Sequence, residues 1–327
     1  MSLSARLAAA ALLIFAQGAY AQADAQSAAA FPNRPIRYVV PFGAGGPSDI
    51  LARTLAQRMT LDWSQPVVVE NRTGAGGIIG ADFVAKSVPD GYTLMMAQVG
   101  DAISMSLYSK LPYNFERDFA PVSLVGRIPF ILVVHPSLPA KNLQDLIALA
   151  RAKPGTLTFA SGGTGVASHL AGELFKRAAG IDVVHVPYKG QAPATNDLLG
   201  GQVSFMFSNP LTALPHLKAG KMRALAVSSP KRFAELPDVP TIAEGGLAGF
   251  DVGFWLGAVA PAATPRAVVD KLNAETVRIL RVPEVAERLG AMGLEIVGST
   301  PDEFGRVIKS EVARWAVVIK EAGVKAE

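Results

Sequence analysis

Cysteine is absent from the 327-residue sequence, and charged residues make up only 18% of it, against about a quarter in an average globular protein. Without cysteine the chain can form no disulfide, no thiolate metal site and no cysteine nucleophile. Basic residues outnumber acidic ones by only 31 to 27 and form no long run, which disfavours a nucleic-acid binder. Beyond the N-terminus no apolar run reaches the length of about 18 residues that a membrane helix needs. The chain is nevertheless 50% hydrophobic and long enough for two domains.

The N-terminus has the pattern of a secretory signal peptide. Arg6 gives a short positive region, residues 7–16 are apolar, and Ala19-Tyr20-Ala21 is a small-x-small cleavage site, with Ala21-Gln22-Ala23 as the alternative. This apolar stretch is too short to span a membrane, which takes about 20 residues. We therefore expect residues 1–21 to be removed and the mature chain to work outside the cytoplasm.

From Ile36 onward, short β-branched runs alternate with segments of helical period, a pattern that predicts βαβ units and mainly parallel sheets. In the first predicted helix, Leu51, Leu55 and Met59 share one stripe. The order of strand, glycine-rich loop and helix returns at Leu157, which indicates a second domain. The predicted strands are residues 36–40, 67–70, 93–97, 122–125, 131–134, 157–160, 183–186, 203–207, 224–227 and 252–260. The predicted helices are residues 48–59, 78–87, 143–153, 166–179, 192–199, 211–219, 265–280, 283–289 and 301–322.

Three loops share one design, in which a buried strand, a glycine-rich bend and a helix start follow one another. They are residues 41–47, 71–77 and 161–165. Glycine permits positive φ and a close approach of the backbone, so several N–H groups can converge on one point, and the helix start adds partial positive charge. Any one such loop by itself is more often a plain strand-to-helix turn, but three in one exported chain favour an anion site.

Hydroxyl groups and one carboxylate lie where they could complete such a site. Ser48 follows the first loop as a helix N-cap or as a ligand contact, and these roles are compatible. Asp49 falls in the first helical turn, where it complements the helix dipole or binds a donor of the ligand. Tyr188 ends a strand and could supply a phenol. The remaining hydroxyl candidates are Thr73, Ser161, Thr164 and Ser168.

Catalytic and nucleotide signatures are weak. The second loop has isoleucine where a dinucleotide fingerprint needs its third glycine, and no loop ends in the Gly-Lys-Ser/Thr of a P-loop. The four histidines are far apart in sequence and form no helical pair, which disfavours a zinc site. Ser228-Ser229-Pro230-Lys231 fits Ser-x-x-Lys without its companion motifs. We therefore predict a protein without enzymatic activity, metal or cofactor.

At these loops the sequence closely resembles the Bug family, the periplasmic solute-binding receptors of tripartite tricarboxylate transporters. The resemblance covers essentially the whole mature chain, with its motifs in order. The matching stretches are residues 32–36, 40–49, 69–77, 89–94, 161–170, 185–190, 223–227 and 236–241. Two positions depart from the common family pattern, because Ser104-Met105 stands where many members have Asn-Pro and Ser208 where many have Asp.

The resemblance implies an α/β fold with the two lobes of a periplasmic binding protein, a Venus flytrap in which each lobe is a mainly parallel sheet flanked by helices. Mapped onto this chain, lobe 1 is residues 31–126 and 254–327, and lobe 2 is residues 127–253. It also implies that a ligand carboxylate is held in the cleft mainly by backbone amides, hydroxyls and waters. This expectation agrees with the design of the three loops.

We therefore predict a monomeric periplasmic receptor that closes on a small organic carboxylate and delivers it to the membrane subunits of a tripartite tricarboxylate transporter. The acid itself stays open among mono-, di- and tricarboxylates, aromatic acids and acidic amino acids. The predicted ligand-binding residues are Gly45, Gly46, Ser48, Asp49, Thr73, Gly74, Ala75, Gly76, Ser161, Gly163, Thr164, Gly165, Ser168 and Tyr188. Two alternatives remain, a periplasmic sensor for a signalling partner and a secreted hydrolase that would lose turnover on Ser168→Ala.

Overall fold

The computed structural model describes residues 31–324, and the predicted signal peptide, residues 1–21, lies outside that part of the chain. The strands are β1 (Ile36–Val40), β2 (Val67–Asn71), β3 (Thr93–Gln98), β4 (Phe119–Pro129), β5 (Ile131–Val134), β6 (Thr158–Ser161), β7 (Val184–Pro187), β8 (Phe205–Ser208), β9 (Arg223–Val227), β10 (Gly253–Pro261) and β11 (Glu295–Ile296). The helices are α1 (Pro47–Trp63), α2 (Ile78–Ala85), α3 (Val99–Leu107), α4 (Leu143–Ala152), α5 (Ala167–Ala179), α6 (Gln191–Leu199), α7 (Pro210–Lys218), α8 (Arg266–Leu280), α9 (Pro283–Gly290) and α10 (Pro301–Ala322). A short 3-10 turn, Ala75–Gly77, precedes α2.

Two sheets form the two lobes. The first has six strands in the order β11-β4-β10-β3-β1-β2, and the second has five in the order β7-β6-β8-β5-β9. The two-lobed α/β fold is as predicted, but each sheet is mixed rather than mainly parallel. Strands β4 and β10 pair antiparallel, and so do β5 and β9, because one strand of each pair carries the chain out of its lobe and the other brings it back.

Sequence periodicity places the helices on these sheets. Leu51, Leu55 and Met59, the predicted stripe of α1, are all at most 1% exposed and pack in the first lobe. The long helix α10 is capped by Thr300, whose side chain forms a capping box with that of Glu303, and it spans the predicted residues 301–322. Among residues 31–324, no helix combines the length and the apolar character that crossing a membrane requires.

The two crossings between the lobes lie side by side and are fastened by one serine. The chain leaves the first sheet at Phe130. The segment from Ser228 to Val252 brings it back to that sheet, where β10 begins. The Phe130 N–H donates to Ser228 Oγ at 2.8 Å, and the Ser228 and Val252 N–H groups donate to the carbonyls of Phe130 and Ser228 at 2.9 and 3.1 Å. The Ser228 hydroxyl also donates to the Val252 carbonyl. Since β4 keeps residues 127–129 in the first sheet, the crossing follows Pro129, and the division into lobes at 126/127 stays a prediction.

Candidate ligand-binding cleft

A pocket of about 320 Å³ lies between the two lobes. Three loops and helix α3 form its wall, and the loops are named here loop A (residues 41–46), loop B (residues 72–77) and loop C (residues 162–166). Loops A and B belong to the first lobe, and loop C belongs to the second. The lining residues are Phe42, Gly76, Gln98, Val99, Gly100, Ile103, Ser104, Leu107, Tyr108, Thr164, Gly165, Val166, Ala167 and Phe254.

Asp49 fixes loops A and B to each other. Its carboxylate, almost fully buried, accepts hydrogen bonds from the Gly45 N–H at 2.9 Å, from Arg53 Nε at 3.0 Å and from Asn71 Nδ2 at 2.9 Å. The Asn71 amide also donates to the Phe42 carbonyl at 3.0 Å. Burial alone would raise the pKa of Asp49, but these hydrogen bonds outweigh it and hold that pKa below its usual value. The carboxylate therefore acts as a charged clamp within the protein.

Loop B turns sharply so that its backbone faces the pocket. Gly74, Gly76 and Gly77 have φ of 130°, 65° and 99°, and Ala75 has φ of 47°. A Cβ at Gly76 would stand 3.2 Å from the Tyr108 hydroxyl, and one at Gly77 would stand 2.8 Å from the Phe42 ring. Glycine is therefore required where this loop passes closest to the pocket wall.

Helix α3 lies along the wall of the pocket, and its first turn is part of the lining. The Gln98 N–H donates to Asp101 Oδ2 at 2.8 Å, and the Gln98 side chain accepts from the Asp101 backbone, which completes a capping box. The Ser48 hydroxyl donates to Gln98 Oε1 at 3.0 Å, so α1 holds this cap in place. Burial raises the pKa of Asp101 to about 7. Val99 and Gly100 occupy the first turn, whose N–H groups have no partner inside the helix.

Side chains of residues next to loop C in the sequence accept hydrogen bonds from three of its backbone N–H groups. The Gly162 N–H donates to Ser168 Oγ at 3.2 Å, the Gly163 N–H to Ser161 Oγ at 3.2 Å, and the Gly165 N–H to His169 Nδ1 at 3.0 Å. These amides are thus occupied within the protein. What loop C offers the pocket is Thr164, the close approach of its backbone and the first turn of α5.

Loop C also meets α3 across the cleft. Gly165 has φ of 77°, and a Cβ placed on it would stand 2.8 Å from Leu107 Cδ2. This contact joins the two lobes on one side of the pocket. Near it, the starts of α3 and α5 open onto the same space from opposite lobes, which is the geometry expected of a site that grips one anion from both sides.

Three of the predicted ligand-binding residues line the pocket, namely Gly76, Thr164 and Gly165. In seven others a side chain or a backbone N–H group is already engaged in a hydrogen bond within the protein. These are Gly45, Ser48, Asp49, Ser161, Gly163, Ser168 and Tyr188, whose hydroxyl donates to Asp197 at 2.5 Å. Gly46, Thr73, Gly74 and Ala75 lie in or beside loops A and B but outside the lining set. Ligand contact by these residues stays a prediction.

The main element that sequence reasoning missed is α3, which supplies Val99, Gly100, Ile103, Ser104 and Leu107 to the lining. The signal that could have revealed it is the spacing of Gln98 and Asp101, which matches a capping box although glutamine is an uncommon N-cap residue. Phe42, Phe254 and Val166 add apolar walls. The family departure noted at residue 104 thus falls in the pocket.

The lining contains no charged side chain. Its polar groups are the Gln98 amide, the Ser104, Tyr108 and Thr164 hydroxyls, and main-chain groups. Within residues 31–324 no cluster of three or more histidine, aspartate or glutamate side chains could hold a metal ion. A negative group in the pocket would therefore meet helix dipoles and neutral hydrogen-bond donors rather than an ion-pair partner.

A larger groove of about 760 Å³ lies on the first lobe and is lined by residues of that lobe alone. Its basic side chains each have a carboxylate partner. These pairs are Arg34–Asp90, Arg37–Glu70, Arg72–Glu70 and Lys86–Asp82. The groove therefore offers fewer unpaired cations than its composition suggests, and the cleft is the better candidate site.

Residues 51–324 match the profile of a protein family described as the tripartite tricarboxylate transporter family receptor. The protein BugT of Bordetella pertussis is 41% identical over 301 residues, which cover 91% of this chain and 92% of BugT. A protein of R. palustris solved with adipate is 38% identical, with a TM-score of 0.76 over 90% of this chain and 99% of that one. MatC from Rhodopseudomonas palustris, solved with bound malate, is 35% identical, with a TM-score of 0.73 over 88% of this chain and 100% of that one. The resemblance seen in the sequence is confirmed, and the chain belongs to the Bug-type receptors of the tripartite tricarboxylate transporter family.

Proposed function

We propose that the chain is a periplasmic solute-binding receptor that captures a small organic carboxylate between its lobes and delivers it to the membrane subunits of a tripartite tricarboxylate transporter. The observation that carries the proposal is the pocket into which the starts of α3 and α5 open from opposite lobes. Two relatives of similar fold were solved with adipate and with malate, both small carboxylates. Such ligands suit a pocket of about 320 Å³.

The grip on the acid comes from the main chain. We assign one side of it to loop B and the first turn of α3, around Gly76, Val99 and Gly100. The first turn of α5 behind Thr164 and Gly165 supplies the other side. Each helix start carries about half a positive charge and unpaired N–H groups, so it stabilises a carboxylate without a basic side chain.

Binding should favour closure of the lobes, because only the closed form brings both helix starts to the same anion. The two crossings, at Phe130 and at Val252, lie side by side because both are hydrogen-bonded to Ser228, as expected of a hinge. A receptor of this kind binds and releases its ligand unchanged. The Ser168 hydroxyl, the candidate nucleophile of the hydrolase alternative, accepts the Gly162 N–H and does not line the pocket.

A binding screen tests the proposal directly. The purified mature chain is heated with adipate, malate, citrate, benzoate or glutamate. An acid that binds raises the melting temperature by an amount that grows with the logarithm of the ratio of its concentration to its Kd. Calorimetry then gives the Kd and stoichiometry, and chromatography shows whether the acid is recovered unchanged. Absence of binding by any of these acids at millimolar concentration, or release of a product, would overturn the proposal.

Ser104 provides a matched pair of variants for the same screen. It is 6% exposed and lines the pocket, so Ser104→Asp places a like charge beside the carboxylate of the ligand. Ser104→Asn has nearly the same shape without the charge. We expect the aspartate variant to lose at least a hundredfold in affinity and the asparagine variant to stay within about tenfold of the wild type. Equal losses would place the carboxylate elsewhere.

Transport and export need cellular assays. Deleting the gene should abolish uptake of the acid identified in the screen, and restoring the chain should recover it. If uptake continues while a transcriptional response to the acid disappears, the sensor alternative is favoured instead. Mass spectrometry of the exported protein should find an N-terminus near Gln22.

A further inference from the structure

Behind loop C, two histidines are stacked face to face inside the second lobe. The rings of His169 and His185 are 3.8 Å apart between centroids and only 13° from parallel. Phe159 continues the stack at 4.8 Å from His185, and Phe205 follows at 5.7 Å from Phe159. His169 is 4% exposed and Phe159 and Phe205 are fully buried, whereas His185 is partly exposed, so the stack runs from the surface of the lobe into its interior.

Each histidine holds a different end of loop C. His169 Nδ1 accepts the Gly165 N–H at 3.0 Å, next to the contact between Gly165 and Leu107 across the cleft. His185 Nε2 lies 2.6 Å from Ser161 Oγ, and the Ser161 hydroxyl donates to the Gly163 carbonyl at 2.9 Å. Neither histidine lines the pocket. They therefore act on the pocket only through the loop.

The hydrogen bond from Gly165 specifies the protonation state of His169. Because the Gly165 N–H is a donor, Nδ1 must carry a lone pair, and the ring proton lies on Nε2, which is 3.8 Å from Glu173 Oε1. A second proton on Nδ1 would set two N–H groups against each other. It would also place a positive charge against the face of a second imidazole.

The surroundings oppose that second proton. Burial lowers the pKa of His169 to about 4, with further contributions from His185 and Lys176, and burial together with Lys176 lowers the pKa of His185 to about 4. On α5, Glu173 Oε2 lies 4.0 Å from Lys176 Nζ, so the positive charge of Lys176 partly offsets the negative charge of Glu173.

The elements packed against this cluster bring few other charges to it. Strands β6 and β8 contribute Phe159 and Phe205, and α3 contributes Leu107. From α10, Glu321 pairs with Arg177 of α5 at 2.6 Å. Glu173 is thus the one carboxylate found within 4 Å of His169 in the described chain.

We propose that His169, supported by its stack on His185, is a positioning residue that holds loop C in its ligand-facing shape, and that adding a proton to His169 releases the loop. The proposal rests on the proposed function only for its effect on ligand affinity. The ordering of loop C itself is measurable in the unliganded protein. Acid would thereby open the second-lobe side of the pocket, independently of any protonation of the ligand.

Hydrogen exchange on the unliganded wild-type chain tests the first step. The Gly165 amide should be protected at pH 7 and should lose protection relative to the amides of β8 as the pH falls towards 4, after correction for intrinsic exchange rates. The β8 amides report global unfolding. Parallel behaviour of loop C and β8 across this range would overturn the proposal.

Three variants separate positioning from general packing. In His169→Asn the side-chain oxygen occupies the place of Nδ1 and cannot be charged, so protection of Gly165 should persist to pH 4. His169→Leu fills the space without an acceptor, so protection should be lost at every pH. His216→Asn, on α7 and away from loop C, should behave as the wild type. If the leucine variant protects Gly165 as well as the wild type does, the proposal is wrong.

Calorimetry with adipate as the probe measures the consequence for binding. At pH 7 the wild type and His169→Asn should bind within threefold of each other, whereas at pH 3, one pH unit below the pKa of about 4 of His169, the wild type should bind about tenfold more weakly than the variant. Protonation of adipate affects both proteins equally, so it cancels in this ratio. Equal loss in the two proteins would overturn the proposal. If neither protein binds adipate or any other acid, the proposed function fails, while the exchange experiment still decides the role of His169.

Discussion

The contact between Gly165 and Leu107 predicts that one methyl group at the cleft weakens ligand binding. Gly165 has φ of 77°, and a Cβ added to it would stand only 2.8 Å from Leu107 Cδ2, well inside normal contact distance. Gly165→Ala therefore carries two costs of different kinds. One is backbone strain within loop C, and the other is a clash between the lobes.

The two costs appear in different measurements. Left-handed backbone costs an alanine about 1 kcal/mol whether the lobes are open or closed, so it lowers the stability of the protein and cancels from binding. Overpacking by one methyl group costs about 1–3 kcal/mol, but only where Gly165 meets Leu107. Because 1.4 kcal/mol is a factor of ten, we expect the Kd to rise by about 5- to 140-fold.

Calorimetric titration with the acid found in the screen gives the Kd, and urea unfolding gives the stability. Gly180→Ala is the matched control, since Gly180 has φ of 59° at the end of α5 with nothing within 4 Å of its added Cβ. It should lose similar stability and keep its Kd. Adding Leu107→Ala should relieve the clash, so Gly165→Ala should then cost little relative to Leu107→Ala alone. A Kd within twofold of the wild type, or a loss that persists beside Leu107→Ala, would refute the reasoning.

Three further outcomes follow from buried polar groups. Burial raises the pKa of Asp101 to about 7, so the folded chain holds this proton more tightly than the unfolded chain does, and the free energy of unfolding falls by about 1.4 kcal/mol per pH unit between pH 4 and 7. Asp101→Asn should remove this fall when urea unfolding is repeated across the pH range. A difference in stability between wild type and variant that does not change with pH would contradict the prediction. Ser228→Ala deprives the buried Phe130 N–H of its acceptor and should lower the free energy of unfolding by about 1–3 kcal/mol, measured by urea titration. Because the pKa of Asp49 is lowered in the folded chain, its charged form stabilises the protein above the usual pKa, and this stabilisation is lost as the pH falls through the folded value. Asp49→Asn should therefore lower the free energy of unfolding by about 1–2 kcal/mol at pH 7 and by less at pH 3, as measured by urea titration.

The elements with the clearest local signals were predicted best. Strands β1 and β5 and helix α10 begin and end at the predicted residues, because β-branched runs bounded by proline or phenylalanine, and the capping box at Thr300, are local features. Helix α3 was missed since it begins at a glutamine cap, includes Gly100 and alternates apolar with small polar residues. Its stability comes from packing against the sheet and α10. These partners are distant in the sequence, so no local stretch of residues indicates the helix.

The loops that form the site were predicted correctly, but the individual residues that line the pocket were predicted less well. Glycine-rich bends do bring loops A, B and C together, but composition does not reveal which amides face the ligand. In two of the loops a side chain from the first turn of the following helix takes up an amide, as Asp49 does for Gly45 and His169 does for Gly165. A polar residue four positions after a glycine of such a loop should therefore first be considered as a partner for the amide of that glycine, and only then as a ligand contact.

The absence of charged side chains from the pocket lining also explains how ligand capture can drive closure. A basic residue on one lobe would hold an acid equally well in the open form, so closing would add little. In the proposed site the first lobe offers loop B and the start of α3, and the start of α5 adds to the grip on the same anion when the lobes meet. A helix start contributes about 0.3–1 kcal/mol at an exposed site and up to about 2 kcal/mol when partly buried. The acid therefore shifts the balance towards the closed form by about 2- to 30-fold from this contribution alone. Apolar contact with Val166 and Ala167 of the second lobe adds to it, since these residues reach a ligand held by the first lobe only after closure.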